Sequence, residues 1–360
     1  MIFDTHLGTP DDPFSLSKWI ADLGRDTRRM WSAEKRTVKL FRACLQLVDH
    51  VLDGYLLAAV VKESQLPSVS QFLELAKSKS LSAKDLTSCL TRVADLMTNY
   101  SEVTLQRRRI PSNRDTDYES HTLFIQQALI LRTYHLAMRH GDSGVVVACL
   151  SYFTVWFQST GRFNYANETI HLTACLKRLW SPELRQYWME NCLINPSGSR
   201  EGWMACDYLG EYIVREVKSM MHHNVTPATD KFLREVISPL ILTFRDARKN
   251  MWKACDANFQ SQHSTAVSAS VDIRHIADRV LRFHMSEYQQ GRIETFEAAD
   301  LYGKGLESLL SFKKLDAHVT RIEKDKGFSA THWGQEEVEV EDEDEEFQDI
   351  EEQEDGWLED

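Results

Sequence analysis

The chain has 360 residues, of which 42% are apolar, which is room for two average domains or one large one with a real core. Its formal net charge of −12 is unevenly placed: residues 335–360 hold sixteen Asp and Glu and no Lys or Arg, which leaves Met1–Gly334 at +4 with all thirteen histidines. The longest apolar run, Val145–Phe157, is well short of the roughly 20 residues of a membrane span, and the N-terminus lacks the layout of a secretory signal.

Helical periodicity dominates, and alternating strand signals are nearly absent. Glu34 to Lys62 reads as one long helix, with Val38, Phe41, Leu45, Val48, Leu52, Tyr55 and Leu56 recurring at three- and four-residue steps. Ser68-Val69-Ser70-Gln71 is a capping box that opens a helix over 69–78, and Ser82 to Asp85 opens another over 83–99. Arg107 to Asp115 carries Pro111 and Asn113 among charges and has no apolar period, so it is expected to be a basic linker between lobes. Helices resume over 118–139, 143–158, 165–180 and 182–191, the last behind Ser181-Pro182, where proline's missing N–H is tolerated. Asn195-Pro196-Ser197-Gly198 is a turn. Further helices are expected over 203–222, 227–256, 271–289 and 305–324, with a polar loop over 259–268. From Glu336 onward like charges repel at nearly every position, and the tail is expected to be disordered.

The chemistry-bearing patterns are sparse. Seven cysteines stand singly without a C-x-x-C, which argues against a disulfide framework or a zinc ribbon and for a reducing, intracellular setting, nuclear or cytoplasmic. Glu168 and His171 form a Glu-x-x-His pair on one helix face, half of the ligand set of a di-iron bundle, and no second such pair exists. Asp207 and Glu211 are spaced to hold Mg²⁺, but Arg215 follows four residues later and makes a solvated salt-bridge stripe the simpler reading. No metal or other cofactor is expected, Mg²⁺ entering only if the chain is a nuclease. Arg107, Arg108, Arg109 and Arg114 put four positive charges in eight residues, and Arg25, Arg28 and Arg29 form a second cluster. Such groups contact phosphate backbones, and the acidic tail would compete with DNA for them or dock a basic protein partner.

Tyr165-Ala166-Asn167-Glu168, Trp188 to Leu193, Asn195-Pro196-Ser197-Gly198, Gly202-Trp203-Met204 and Asp207 to Lys218 follow one another at short intervals. That series resembles a large fungal family known as domain of unknown function 6589, most densely over Gly141–Asp246. The resemblance implies a transposon-derived protein whose upstream acidic motifs are like the first two aspartates of a DDE transposase. Glu168 or Glu211 would then be the place for the third carboxylate. This chain starts after those upstream motifs and has no strand material for a ribonuclease-H-like sheet, so the resemblance argues against independent catalysis.

The expected fold is all-α, an irregular multi-helix bundle in two lobes: 1–106, a linker over 107–117, a helical core over 118–325 and the tail over 326–360. The leading expectation is a non-catalytic nucleic-acid-associated or protein-binding module derived from a mobile-element protein, without membrane association. The alternatives are a remnant of a metal-dependent transposase or nuclease using Glu168, Asp207 or Glu211, and a protein-interaction scaffold that docks partners through its tail.

Overall fold

A computed structural model describes residues 2–12, 15–32, 37–78, 110–211, 269–293 and 296–311, with isolated positions between them. These residues form eleven α-helices, a 3-10 turn, a π-helical segment and two antiparallel ribbons of two residues per strand. The fold is therefore all-α. The linker arginines 107–109, most of the helices expected over 83–99 and 227–256, the loop over 259–268 and the tail over 326–360 lie outside the described residues.

The described residues fall into two compact units. The first takes those within Met1–Thr133, Cys149–Ala174 and Ala266–Asp360, the second those within Tyr134–Ala148 and Cys175–Thr265. The expected linker at 107–117 thus falls within the first unit's span.

In the first unit, short helices α1 (Ile2–His6), α2 (Leu16–Asp22) and α3 (Thr27–Met30) lead into β1 (Trp31–Ser32), which pairs with β2 (Thr37–Val38). This ribbon delays the long helix expected from Glu34. Val38 lies opposite Trp31, and the Lys39 N–H donates to Met30 O at 2.9 Å, so the backbone turns helical only at Phe41. Helix α4 (Phe41–Glu63) then buries Cys44, Leu47, Val48, Val51, Leu52, Tyr55 and Ala58, the i, i+3, i+4 stripe of a core helix. By length and composition α4 would suffice to cross a membrane. Here that stripe forms the unit's core, and Asp49 on the same helix pairs with Arg132 at 2.9 Å. Ser68 caps α5 (Val69–Lys77) by accepting from the Gln71 N–H, as its motif foretells.

Helix α10 (Ala269–Arg282) lies along α4, the most extensive helix pairing among the described residues. The two backbones meet at Gly54, where a Cβ would overlap the Ile276 side chain. Polar groups register the pair. Asp272, buried, accepts from Arg25 Nη2 at 2.7 Å and faces His50 Nδ1 at 2.9 Å. Arg279 lies over the Trp19 ring at 5.6 Å, and Trp19 Nε1 donates to the Tyr55 hydroxyl at 3.0 Å.

The unit is completed by parts of α6 (Thr116–His140) and α7 (Ser143–Ser159), by α8 (Phe163–Ala174) and by α11 (Leu301–Leu310). The start of α6 is fixed by Asp115. Its carboxylate accepts from the Tyr118 N–H at 3.1 Å and forms a two-pronged pair with Arg292, both contacts at 2.8 Å. Gly305 lets α11 rest directly on the Val155 backbone of α7.

In the second unit, α6 ends at Gly141, whose φ of +74° closes a helix-terminating turn in which the Asp142 N–H donates to Ala137 O at 2.8 Å. The Trp203 ring covers that glycine, and a Cβ there would stand 2.7 Å from it. Ala137, Val146 and Leu193 form the core beneath, with Tyr134, Met138 and Trp203 around them. Helix α9 (Pro182–Asn191) starts at Ser181-Pro182 as expected, the Ser181 hydroxyl accepting from the Leu184 N–H. It runs into β3 (Leu193–Ile194), which pairs with β4 (Met204–Ala205). That pairing shifts the helix expected from Trp203 to a start at Cys206, from which residues 206–211 are helical.

Candidate nucleic-acid interface

Residues 175–191 carry an exposed face in which cations and aromatic rings alternate. The helix expected over 165–180 is α-helical only to Ala174; Cys175–Leu179 continues it with π-helical spacing and ends with the Trp180 N–H donating to Cys175 O at 2.9 Å. Such segments insert a residue into a helix and are frequent at functional sites. Cys175 and Leu176 are buried, while Lys177 and Arg178 point to solvent.

Helix α9 buries none of its residues, with Leu184 41% and Tyr187 66% exposed. Trp180 and Trp188 approach each other across the Ser181-Pro182 start, ring centroids 6.2 Å apart and inclined at 48°. Arg185 is exposed on the same helix. Among the described residues Lys177, Arg178 and Arg185 form no ion pair. The carboxylates nearby are engaged locally. Backbone N–H and the Ser181 hydroxyl hold the Glu183 carboxyl below its ordinary range, and Glu190 accepts from Gln186 Nε2 at 2.8 Å. In single-strand platforms in general, cations track the phosphates and aromatic rings stack on bases.

The neighbouring loop is built for rigidity. Asn195 Oδ1 accepts from the Gly198 N–H at 2.9 Å and the Ser197 hydroxyl at 3.1 Å, and Asn195 Nδ2 donates to Ser199 O at 2.7 Å. Gly198, with φ of +69°, supplies the turn's left-handed residue. Arg139 pairs with Glu201 at 3.2 Å. Most of the unusual motif residues between Trp188 and Met204 therefore shape this unit rather than present reactive groups.

The residues singled out from sequence are placed as follows. Glu168, exposed, and His171, half-buried, sit one turn apart on α8 in the first unit. Among the described residues no cluster of three or more His, Cys, Asp or Glu able to hold a metal ion forms around them or elsewhere. Asp207 and Glu211 lie exposed in the second unit, Asp207 Oδ1 accepting from the Tyr208 N–H at 2.9 Å; Arg215 lies outside the described residues. Arg107, Arg108 and Arg109 also lie outside them. Arg114 is engaged internally: Nη2 reaches Glu119 at 2.8 Å and Glu297 at 2.6 Å, and those two bonds raise its pKa above the ordinary arginine value. Arg25 is likewise spent on Asp272, whereas Arg28 and Arg29 are exposed. Lys177, Arg178, Arg185 and the rings of Trp180, Tyr187 and Trp188 escape a scan for basic runs, because no two cations beyond Lys177-Arg178 adjoin in sequence. The break at Ser181-Pro182 interrupts any helical projection across 177–188, so no simple sequence signal gathers them.

No curated protein and no solved structure matches the chain. One family model does, described as Family of unknown function (DUF6589), over residues 1–264, which leaves α10 and α11 beyond the match. A match over more than two thirds of the length, through both units, settles the affiliation: the chain belongs to the DUF6589 family.

Proposed function

We propose that this protein is a non-catalytic, nucleic-acid-associated helical module of a mobile-element-derived fungal protein, acting inside the cell. The observation that carries this reading is the exposed face of 175–191, with three cations unpaired among the described residues beside three aromatic rings. Single strands suit it best, since unstacked bases can stack on exposed Tyr187 and meet the half-buried Trp180 and Trp188 at their accessible edges. The acidic residues of 336–360 act in this scheme as a competitor for the same cations. No metal or cofactor is required, and Glu168, His171, Asp207 and Glu211 have no chemical part.

Fluorescence anisotropy tests this with labelled single-stranded and duplex DNA, using the full chain and Met1–Gly334. Three phosphate contacts predict that affinity for the single strand falls about 20-fold between 50 and 200 mM salt. The triple variant Lys177→Glu, Arg178→Glu, Arg185→Glu is expected to abolish that dependence, and Tyr187→Ala to weaken single-strand binding at every salt concentration. Binding by the triple variant equal to that of the parent would refute the assignment. So would absence of binding by both forms at 50 mM salt, which would hand the face to a protein partner.

A further inference from the structure

We propose that Cys192 and Cys206 are a redox couple that closes to a disulfide across the mouth of the 192–206 loop when the protein meets a peroxide or a low-molecular-weight disulfide. The ribbon aligns them. Leu193 lies opposite Ala205 and Ile194 opposite Met204, so Cys192 and Cys206 flank the outer end of the ribbon. The Cys206 N–H donates to Cys192 O at 2.9 Å, while Cys192, the C-cap of α9, gives its own N–H to Trp188 O at 2.8 Å. With ordinary covalent geometry that single bond keeps the two Cα atoms within about 6.8 Å, the upper end of the span of roughly 4.4–6.8 Å that a disulfide bridges.

Both thiols are free, Cys206 exposed and Cys192 half-buried, whereas Cys44, Cys149 and Cys175 are buried. Burial pushes the Cys192 thiol up against the opposing backbone N–H groups of Cys192 and Leu193, and neighbouring Cys206 and Asp207 add to the rise. Cys206, the exposed thiol, is the group that meets the oxidant, and half-buried Cys192 resolves the product. The Cys206 thiolate attacks one peroxide oxygen, giving a sulfenic acid and hydroxide. The Cys192 thiolate then attacks that sulfur, forming the S–S bond and expelling a second hydroxide. The two thiol protons convert the hydroxides to water, and two electrons pass from sulfur to peroxide. With glutathione disulfide the same two attacks release two glutathione thiols. An exposed disulfide of this kind stays open to reduction, which makes the step reversible. Closure ties the C-terminus of α9 to the start of the helix at Cys206 and encloses the Asn195 turn and Trp203.

Trypsin cuts after Arg200 and so separates the two cysteines into peptides Gln186–Arg200 and Glu201–Arg215. The full chain is exposed to hydrogen peroxide or to glutathione buffers of stepped ratio, blocked with N-ethylmaleimide, digested and weighed. The expected product is the two peptides joined and lighter by two hydrogens, cleaved by dithiothreitol. In Cys192→Ser, Cys206 is expected to accumulate as its glutathione adduct. Separate peptides with both cysteines blocked or independently oxidised, or Cys206 joined to a different cysteine, would overturn the proposal. Because the readout is covalent, it is independent of whether the 175–191 face binds DNA.

Discussion

Acidification from pH 7 to pH 5 is expected to strip the first unit of about 4 kcal/mol of stability through two histidines alone. His6 and His121 are both fully enclosed, and burial pushes each from the ordinary 6.5 down to about 3; the N-terminal charge adds to the effect on His6, and Arg292 to that on His121, while a hydrogen bond to Gln127 opposes it for His6. His6 packs edge-on against Phe124 at 5.3 Å, and His121 lies 4.2 Å from the Tyr55 ring. Among the described residues one ring nitrogen of each, Nε2 of His6 and Nδ1 of His121, has no hydrogen-bond partner, so nothing described in the core welcomes a proton there. The unfolded chain takes up protons below pH 6.5 and the folded one only near pH 3. Stability is thus unaffected above that window and falls through it by about 1.4 kcal/mol per pH unit for each histidine. Integrated from pH 7 to 5, each contributes about 2 kcal/mol. Urea denaturation at half-unit pH steps measures the slope. In His6→Phe/His121→Phe, which keeps the aromatic packing and removes the titration, the slope over that interval is expected to shrink by the same amount. An unchanged slope in the double variant would refute the reasoning.

Two further outcomes follow from the α4–α10 seam. Gly54→Ala is expected to cost about 1–3 kcal/mol in urea titrations, because the new methyl overlaps Ile276, and Ile276→Ala in the same chain should recover part of it; additive losses would show that the two helices do not meet there. Asp272→Asn is expected to cost about 3 kcal/mol, since it leaves the largely buried Arg25 guanidinium beside a neutral amide, and a loss below about 1 kcal/mol would contradict that pairing.

Local chemistry was the most legible part of the sequence. Ser68 and Ser181 announce α5 and α9 through their own hydroxyls, and Asn195-Pro196-Ser197-Gly198 is the turn its residues demand. The two-residue ribbons were not legible, because a strand that short leaves no alternation to read. The π-helical stretch hid for a related reason: Cys175 and Leu176 continue the apolar pattern of α8, and only the backbone reveals the inserted residue. Charge misled where partners are remote in sequence. Arg114 looked like part of a free basic run, yet Glu297 stands 183 residues away along the chain. The converse held for Lys177 and Arg185, eight positions apart and unremarked until the helices place them on one exposed stretch.

The seam between α4 and α10 also sets a timetable for synthesis. Leu47, Val51 and Tyr55 emerge from the ribosome early, but the helix carrying Asp272, Ile276 and Arg279 follows more than two hundred residues later. The part of α4 around Gly54 that meets Ile276 must wait for it, so the first unit closes only after the intervening stretch has been made. Contacts of such separation fold slowly and expose sticky surface meanwhile. A nascent or truncated chain ending at residue 264, where the family match stops, would present that uncovered stripe as a chaperone target, and its fate would be decided by holding time rather than by equilibrium stability.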